Sequence, residues 1–372
     1  MALGLVCTAY LASTVGEQLL SPLFPTARDD LHLSESQGGV AFGVLALAIA
    51  IGNMVGGAVL RRLGAIEVIR LAMATTAVGA VVAATAPSYG LVLVAQALLG
   101  LGAGLFFPAG LQGVALFAGS ARRGMAMGIY GVAFSAGLTV AALFGALGAG
   151  VGWRVPFWIS AGLAAAALVA TLRLDAARPT THVPWRIPWR AVLGLPTIVG
   201  SIGAVLQYGV LAFFATYAVD EWGLSDARAA TVLAVGRVVS IAAKVAGGAA
   251  TDRLGPRASV LRTGLLLSAT GVVWVLLPAG LVTYAVAALF AGTVSSIFPA
   301  ANVMAVERFG GHGLALGAYR SIQIGLGAIA GVLIGVSPLG LRWTTFGCVL
   351  LPVSLLWFCR PERAGAAAAS PA

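Results

Sequence analysis

The sequence predicts an all-α membrane protein of twelve spanning helices in two pseudo-symmetric six-helix bundles. Composition, a succession of apolar runs and a pattern that returns at an offset of 191 positions lead to this. Of 372 residues, 60% are hydrophobic and 9% charged, and mean hydropathy is +0.99. A soluble domain carries about 25% charged residues, so a soluble globule is excluded. Charge-poor runs near the ~20 residues that cross a bilayer fall at about 1–24, 37–60, 66–86, 89–113, 124–150 and 154–173, and again at 192–217, 227–250, 258–277, 280–305, 313–336 and 339–359. The first run lacks the basic start and cleavage site of a signal peptide and is read as a retained helix. Residues 174–191 break the pattern with Pro179, Pro184, Pro188 and several arginines. The expected organisation is therefore an N-terminal bundle at 1–173, a linker at 174–191, a C-terminal bundle at 192–359 and a polar tail at 360–372.

The repeat is most specific around Gly248-Ala-Ala-Thr-Asp252-Arg253-Leu-Gly255-Pro-Arg257. At the offset, Gly57-Ala-Val-Leu-Arg61-Arg62-Leu-Gly64 keeps every element except the acid, which has become Arg61. Gly248 lets a neighbouring helix approach closely, and Gly255 supplies the positive φ of a tight turn. Asp30 falls on Glu221, Leu33-Ser34 on Leu224-Ser225, and Phe107-Pro108-Ala109 on Phe298-Pro299-Ala300. Past a slightly shorter loop, Gly124-Met-Ala-Met-Gly128-Ile-Tyr130 matches Gly313-Leu-Ala-Leu-Gly317-Ala-Tyr319. Half-length repetition of this kind marks duplicated membrane folds.

Orientation follows from the bases. With the N-terminus inside, fifteen arginines fall in inner loops and tail, against Arg28, Arg154, Arg228 and Arg342 outside. By the positive-inside rule both termini face the cytoplasm, in a multi-pass inner (plasma) membrane protein. The net charge of +10 is thus an address on the bilayer, and no nucleic-acid partner is expected. Trp185 and Trp189 anchor the linker at the inner interface in this reading, with a docking site for a partner as the other. Cys7, Cys348 and Cys359 sit in apolar runs at no metal-ligand spacing, and His32, His182 and His312 fall in loops. No nucleotide loop, metalloprotease helix or nucleophile elbow is present, so neither an enzyme nor a cofactor nor a metal is expected.

The motif at Gly248–Arg257 resembles the signature loop of the major facilitator superfamily, and the chain is identified as a short member of it. That resemblance implies a secondary transporter working by alternating access. It also implies a cytoplasmic gate built from Gly57, Arg62, Gly64, Gly248, Asp252, Arg253 and Gly255, where only Asp252 offers the locking acid. Gln96-Ala-Leu-Leu-Gly100-Leu-Gly102-Ala-Gly104 resembles the family's fourth helix, with glutamine in place of the arginine of many proton-coupled members. The fifth helix, from Gly137 to Gly148, lacks the proline of the antiporter signature, so a drug–proton antiporter is less favoured. Small residues four apart, such as Gly52 and Gly56 or Gly100 and Gly104, read as close helix packing.

Polar groups within spans carry the functional reading, because each needs a partner, a cavity or a ligand. Glu17 lies about 21 Å along helix one, on a face with Tyr10 and Thr14, and its repeat-mate is Tyr208. Two readings stand for it: a proton carrier, or a neutral carboxyl packed against Gln96 or a serine. Arg237 lies about 12 Å into helix eight, too deep to snorkel comfortably. Arg320 shares a face of helix eleven with Gln323. Their repeat-mates, Ala46 and Gly131, are uncharged. Lys244 is expected to reach the inner headgroups. The leading expectation is a monomeric symporter or exchanger of a small organic anion, with Arg237, Arg320, Gln323, Tyr10, Tyr208 and Gln96 binding the substrate and Glu17 a possible coupling proton. The other is a proton-coupled exporter of hydrophobic or cationic compounds.

Overall fold

The computed structural model describes residues 2–33, 35–175, 186–211, 213–224, 226–310, 312–335 and 337–359. Of the expected linker, residues 176–185, with Trp185, lie outside this range, as does the tail from 360 onward. The helices are α1 (Ala2–Gln18), α2 (Leu20–Leu31), α3 (Glu35–Leu63), α4 (Ala65–Ala84), α5 (Tyr89–Phe117), α6 (Arg123–Val151) and α7 (Arg154–Thr171). The short α8 (Trp189–Val192) precedes α9 (Leu195–Ala204), a π-helical stretch at Val205–Val210, and α10 (Phe214–Asp220). Then follow α11 (Asp226–Leu254), α12 (Pro256–Leu276), α13 (Leu281–Thr293), α14 (Ile297–Phe309), α15 (Gly313–Gly335), α16 (Gly340–Leu350) and α17 (Leu355–Phe358).

Among the described residues, nine segments are long and apolar enough to cross a membrane. The other three expected runs are helical as well. The run at α9 is cut short by the π-helical stretch, α11 carries charges in mid-span, and α15 has 23 residues. The first run departs from expectation. It continues as helix to Leu31 and is interrupted at Leu19. Pro22 accounts for the break, since it has no N–H for the carbonyl of Gln18 and its ring crowds that carbonyl.

Both signature turns are a single glycine, Gly64 at φ 83° and Gly255 at φ 80°. We call the end of the molecule that holds them the motif end. There the halves meet along two seams. A Cβ on Gly57 would fall 2.7 Å from the Gly313 carbonyl carbon, and one on Gly248 would lie 3.0 Å from that of Gly124. Only hydrogen fits at these positions, so α3 closes on α15 and α11 on α6, as the repeat requires. Lipid offers little hydrophobic drive for helix association, and such close approach supplies the dispersion that replaces it. One buried cluster also crosses between the halves here, joining Leu60, Phe106 and Met127 to Phe309, Leu316 and Tyr319. At the opposite end, Asp30 accepts from Trp153 Nε1 at 3.1 Å and Arg154 Nη1 at 2.7 Å. These donors hold its carboxyl below the usual carboxylate range.

Candidate functional site

Above the two seams lie two adjoining cavities of about 300 and 280 Å³ that share Tyr10, Gln18, Phe107, Phe134, Tyr208 and Arg320. Two interrupted helices shape them. The break after Glu17 and the π-helical stretch at Val205–Val210 occupy the same place in the repeat, and Gln207 and Tyr208 from the latter line the larger cavity. A π-helical stretch adds a residue to the turn and redirects its side chains, which is why such stretches gather at sites of function.

Arg320 of α15 is held on three sides. Nη1 donates to Gln323 Oε1 at 3.2 Å, Nη2 donates to Tyr208 Oη at 3.3 Å, and the guanidinium lies 4.4 Å from the centre of the Phe107 ring. Gln323 is wholly buried and lines neither cavity. It positions the guanidinium from behind, a correction to its expected direct role. Tyr10 stacks on Tyr130 at 4.1 Å and on Phe106 at 5.2 Å, giving the larger cavity an aromatic wall. Arg237 lines that cavity, and its guanidinium makes no hydrogen bond or ion pair among the described residues.

Lys244 does not reach the headgroups. It is 5% exposed, and its Nζ donates to Gly131 O at 2.9 Å and Ser135 Oγ at 2.5 Å. The cause is the seam itself: Gly128 and Gly131 let α6 press onto α11, and a Cβ on Gly131 would lie 3.2 Å from Lys244 Cδ. With α6 that close, the side chain runs along the interface into the cavity. Arg237, Ser240, Lys244, Gly248 and Asp252 recur three or four positions apart and form one stripe of α11.

Glu17 lines the smaller cavity with Arg320 and Asn53. Its Oε1 accepts from Gln18 Nε2 at 2.7 Å, in place of the expected contact with Gln96 or a serine. Gln96 is 1% exposed and lines neither cavity, so its expected place beside substrate is not met. It lies inside the N-terminal bundle, next to the buried Ala95 and Leu99. Asn53, Ser135, Gln207, Ser240, Lys244 and Asn302 line the cavities and were not anticipated as site residues. For Lys244 a signal existed, its spacing of seven from Arg237 on one helix.

At the motif end, Asp252 reaches across from α11 to the first turn of α6. Its Oδ1 accepts from Gly124 N at 2.7 Å and its Oδ2 from Met125 N at 2.8 Å. A carboxylate on two free amides at a helix N-terminus meets both the orphan donors and the positive end of the helix dipole. Arg123 adds an ion pair to Glu307 of α14 at 3.6 Å. Arg62 and Arg253 lie at the exposed ends of α3 and α11. On the other seam the matching place holds Arg61, a base.

The profile of the Major Facilitator Superfamily matches residues 6–332. The chain belongs to this superfamily. It is a secondary transporter rather than an enzyme. The fosmidomycin resistance protein of Escherichia coli K12 is 24% identical over 352 residues, covering 90% of this chain and 85% of that one. The probable nitrate/nitrite transporter NarK2 of Mycobacterium tuberculosis H37Rv is 29% identical over 272 residues, 68% of each chain. Among solved structures, the E. coli fucose:proton symporter FucP in its outward conformation superposes with a TM-score of 0.81 at 16% identity, covering 97% of this chain and 98% of that one. That likeness is one of fold. In transporter folds built from repeats, alternating access works through interrupted helices around a site between two halves.

Proposed function

We propose that this transporter moves a small organic anion, by symport or exchange, through the two joined cavities. One observation carries the reading: Arg237, Lys244 and Arg320 line the larger cavity, and no acidic residue lines it among the described residues. Three basic groups in a cavity with no acid in its own lining favour an anionic occupant. Guanidinium forks suit a carboxylate, which accepts two parallel hydrogen bonds from one. The relative NarK2, by its name a carrier of inorganic anions, supports the sign of the charge. By the positive-inside rule the arginine distribution supports a motif end and both termini in the cytoplasm, with the chain in the inner membrane. In that orientation the closed seams describe a carrier facing outward, with Asp252 as its cytoplasmic lock.

Uptake of labelled short carboxylates into proteoliposomes tests the reading, with a neutral sugar and a lipophilic cation as controls. Arg237→Lys keeps the charge and loses the fork, so the apparent substrate constant rises several-fold. Arg237→Ala removes a charged donor and raises it about 10- to 100-fold. If the cation is transported while carboxylates neither move nor compete, the anion reading falls. The second reading, export of hydrophobic or cationic compounds, then takes its place, and the resistance role in the name of the E. coli relative favours it.

Glu17 is the carboxylate beside Arg320 in the smaller cavity, and it is the proposed proton carrier. A carboxyl that loads and releases a proton as the cavity changes sides couples transport to the proton gradient. Glu17→Gln is then expected to abolish uphill, pH-driven accumulation while sparing exchange of labelled for unlabelled substrate. Uphill accumulation at the unmodified rate in the variant removes Glu17 from the coupling.

A further inference from the structure

Charge is unevenly divided between the two cavities. Arg320 has Glu17 in the smaller cavity with it. On the α11 wall, Arg237 and Lys244 share the larger cavity with no acid among the described residues that line it, and the Lys244 ammonium bonds the neutral Gly131 carbonyl and Ser135 hydroxyl, 5.3 Å from the Phe134 ring centre. A buried ammonium held by dipoles alone is costly, and an anion that meets it recovers part of that cost. Seven positions separate Lys244 from Arg237, about 10.5 Å along the helix. Both side chains line the larger cavity, as does Ser240 between them. On the facing side, the hydroxyl oxygen of Tyr208 accepts from Arg320, which leaves its own proton for an incoming acceptor.

Resting on the anion reading above, we propose that the substrate is a dianion, one acidic group taken by Arg237 and Lys244 on α11 and the other by Arg320 and the hydroxyl of Tyr208. Lys244 is on this assignment a specificity-determining residue. A monoanion meets the donors of one wall and leaves those of the other unfilled, so the site discriminates by the number of acidic groups rather than by length of the carbon chain.

The test uses the purified full-length chain in carboxylate-free buffer at neutral pH. Thermal-shift titrations compare succinate with butyrate and glutarate with valerate, pairs matched in carbon number and differing by one carboxylate. Binding to the folded state raises the midpoint by mass action. A dianion is expected to act at about tenfold lower concentration than its monoanionic match, from one further charge-assisted contact. Lys244→Gln brings the two within about twofold, and Lys244→Arg keeps the gap. Equal constants for both members of each pair in the unsubstituted chain overturn the dianion assignment and leave the anion reading standing. No response to any of the four acids, with no competition in uptake, removes the anion reading and this inference with it. An intact gap in Lys244→Gln takes Lys244 out of the site. Should that variant fail to fold, the ratio in the unsubstituted chain decides alone.

Discussion

Replacing Arg320 by alanine is expected to weaken binding of a small carboxylate at least about a hundredfold. The guanidinium is held on three sides, with Gln323 and Tyr208 setting its plane and Phe107 beneath it. A hydrogen bond to a charged group contributes about 1.5–3 kcal/mol, and two lost at once correspond to at least about two orders of magnitude in a dissociation constant. Lysine in its place restores charge without the fork, and an ammonium cannot bond Gln323 and Tyr208 while presenting two parallel donors to substrate. Arg320→Lys therefore recovers only a fraction of the loss. Gln323→Ala provides the contrast, because it frees the guanidinium without removing it and is expected to cost about tenfold. Equilibrium binding on monodisperse, folded variants measures all three. An Arg320→Ala protein with an unaltered binding constant contradicts the assignment.

The second large effect concerns Asp252. Its carboxylate spans the α6–α11 seam and accepts from two backbone amides at 2.7 and 2.8 Å. Asparagine keeps one acceptor, loses the charge that the helix dipole favours, and turns an NH2 group toward amides that are themselves donors. The side chain is partly exposed, so screening reduces the effect, and about 1–2 kcal/mol is a fair expectation. That moves the equilibrium roughly tenfold toward the state parted at the motif end. Arg61→Ala, which removes a base from the last turn of α3 rather than an acid that accepts from amides across a seam, is expected to have a milder effect. A spin-label pair at Leu63 and Leu254, matched in the repeat and both exposed, reports the separation of the halves in a background without Cys7, Cys348 and Cys359. Equal shifts from both substitutions refute the asymmetry.

The span pattern, the repeat and both signature turns were legible because each rests on a local rule: apolar length, a recurring glycine and a positive φ. Asp252 was singled out by the resemblance of its loop, and its carboxylate lies across the α6–α11 seam. The azimuth of a side chain on a membrane helix was not. A membrane helix is apolar on its lipid face and on its packed face alike, so depth along the axis can be counted while direction cannot. Gln96 was set beside substrate on its place in a helix that resembles the family's fourth, and it lies inside its own bundle. Lys244 was sent to the headgroups on depth alone and turns inward along α6. Asn53, wholly buried with both side-chain heteroatoms unpaired by protein, had no mark in the sequence to separate it from a structural asparagine. The break at Leu19 had one in Pro22, whereas the π-helical stretch at Val205–Val210 contains no proline and we have no physical account of it from sequence.

The two seams differ in kind. Along α6–α11 there is a carboxylate latch and the bonds of Lys244, and beside it Arg123 of α6 pairs with Glu307 of α14. Along α3–α15, glycine lies against backbone and Ser321 Oγ donates to Ala50 O at 3.2 Å. Contacts of the second kind are short-ranged and lose about a quarter to a half of their attraction across a gap of ~0.5–1 Å, whereas charged ones persist over several. For an equal first separation of the halves, the close backbone contacts of α3–α15 therefore weaken before the carboxylate latch does.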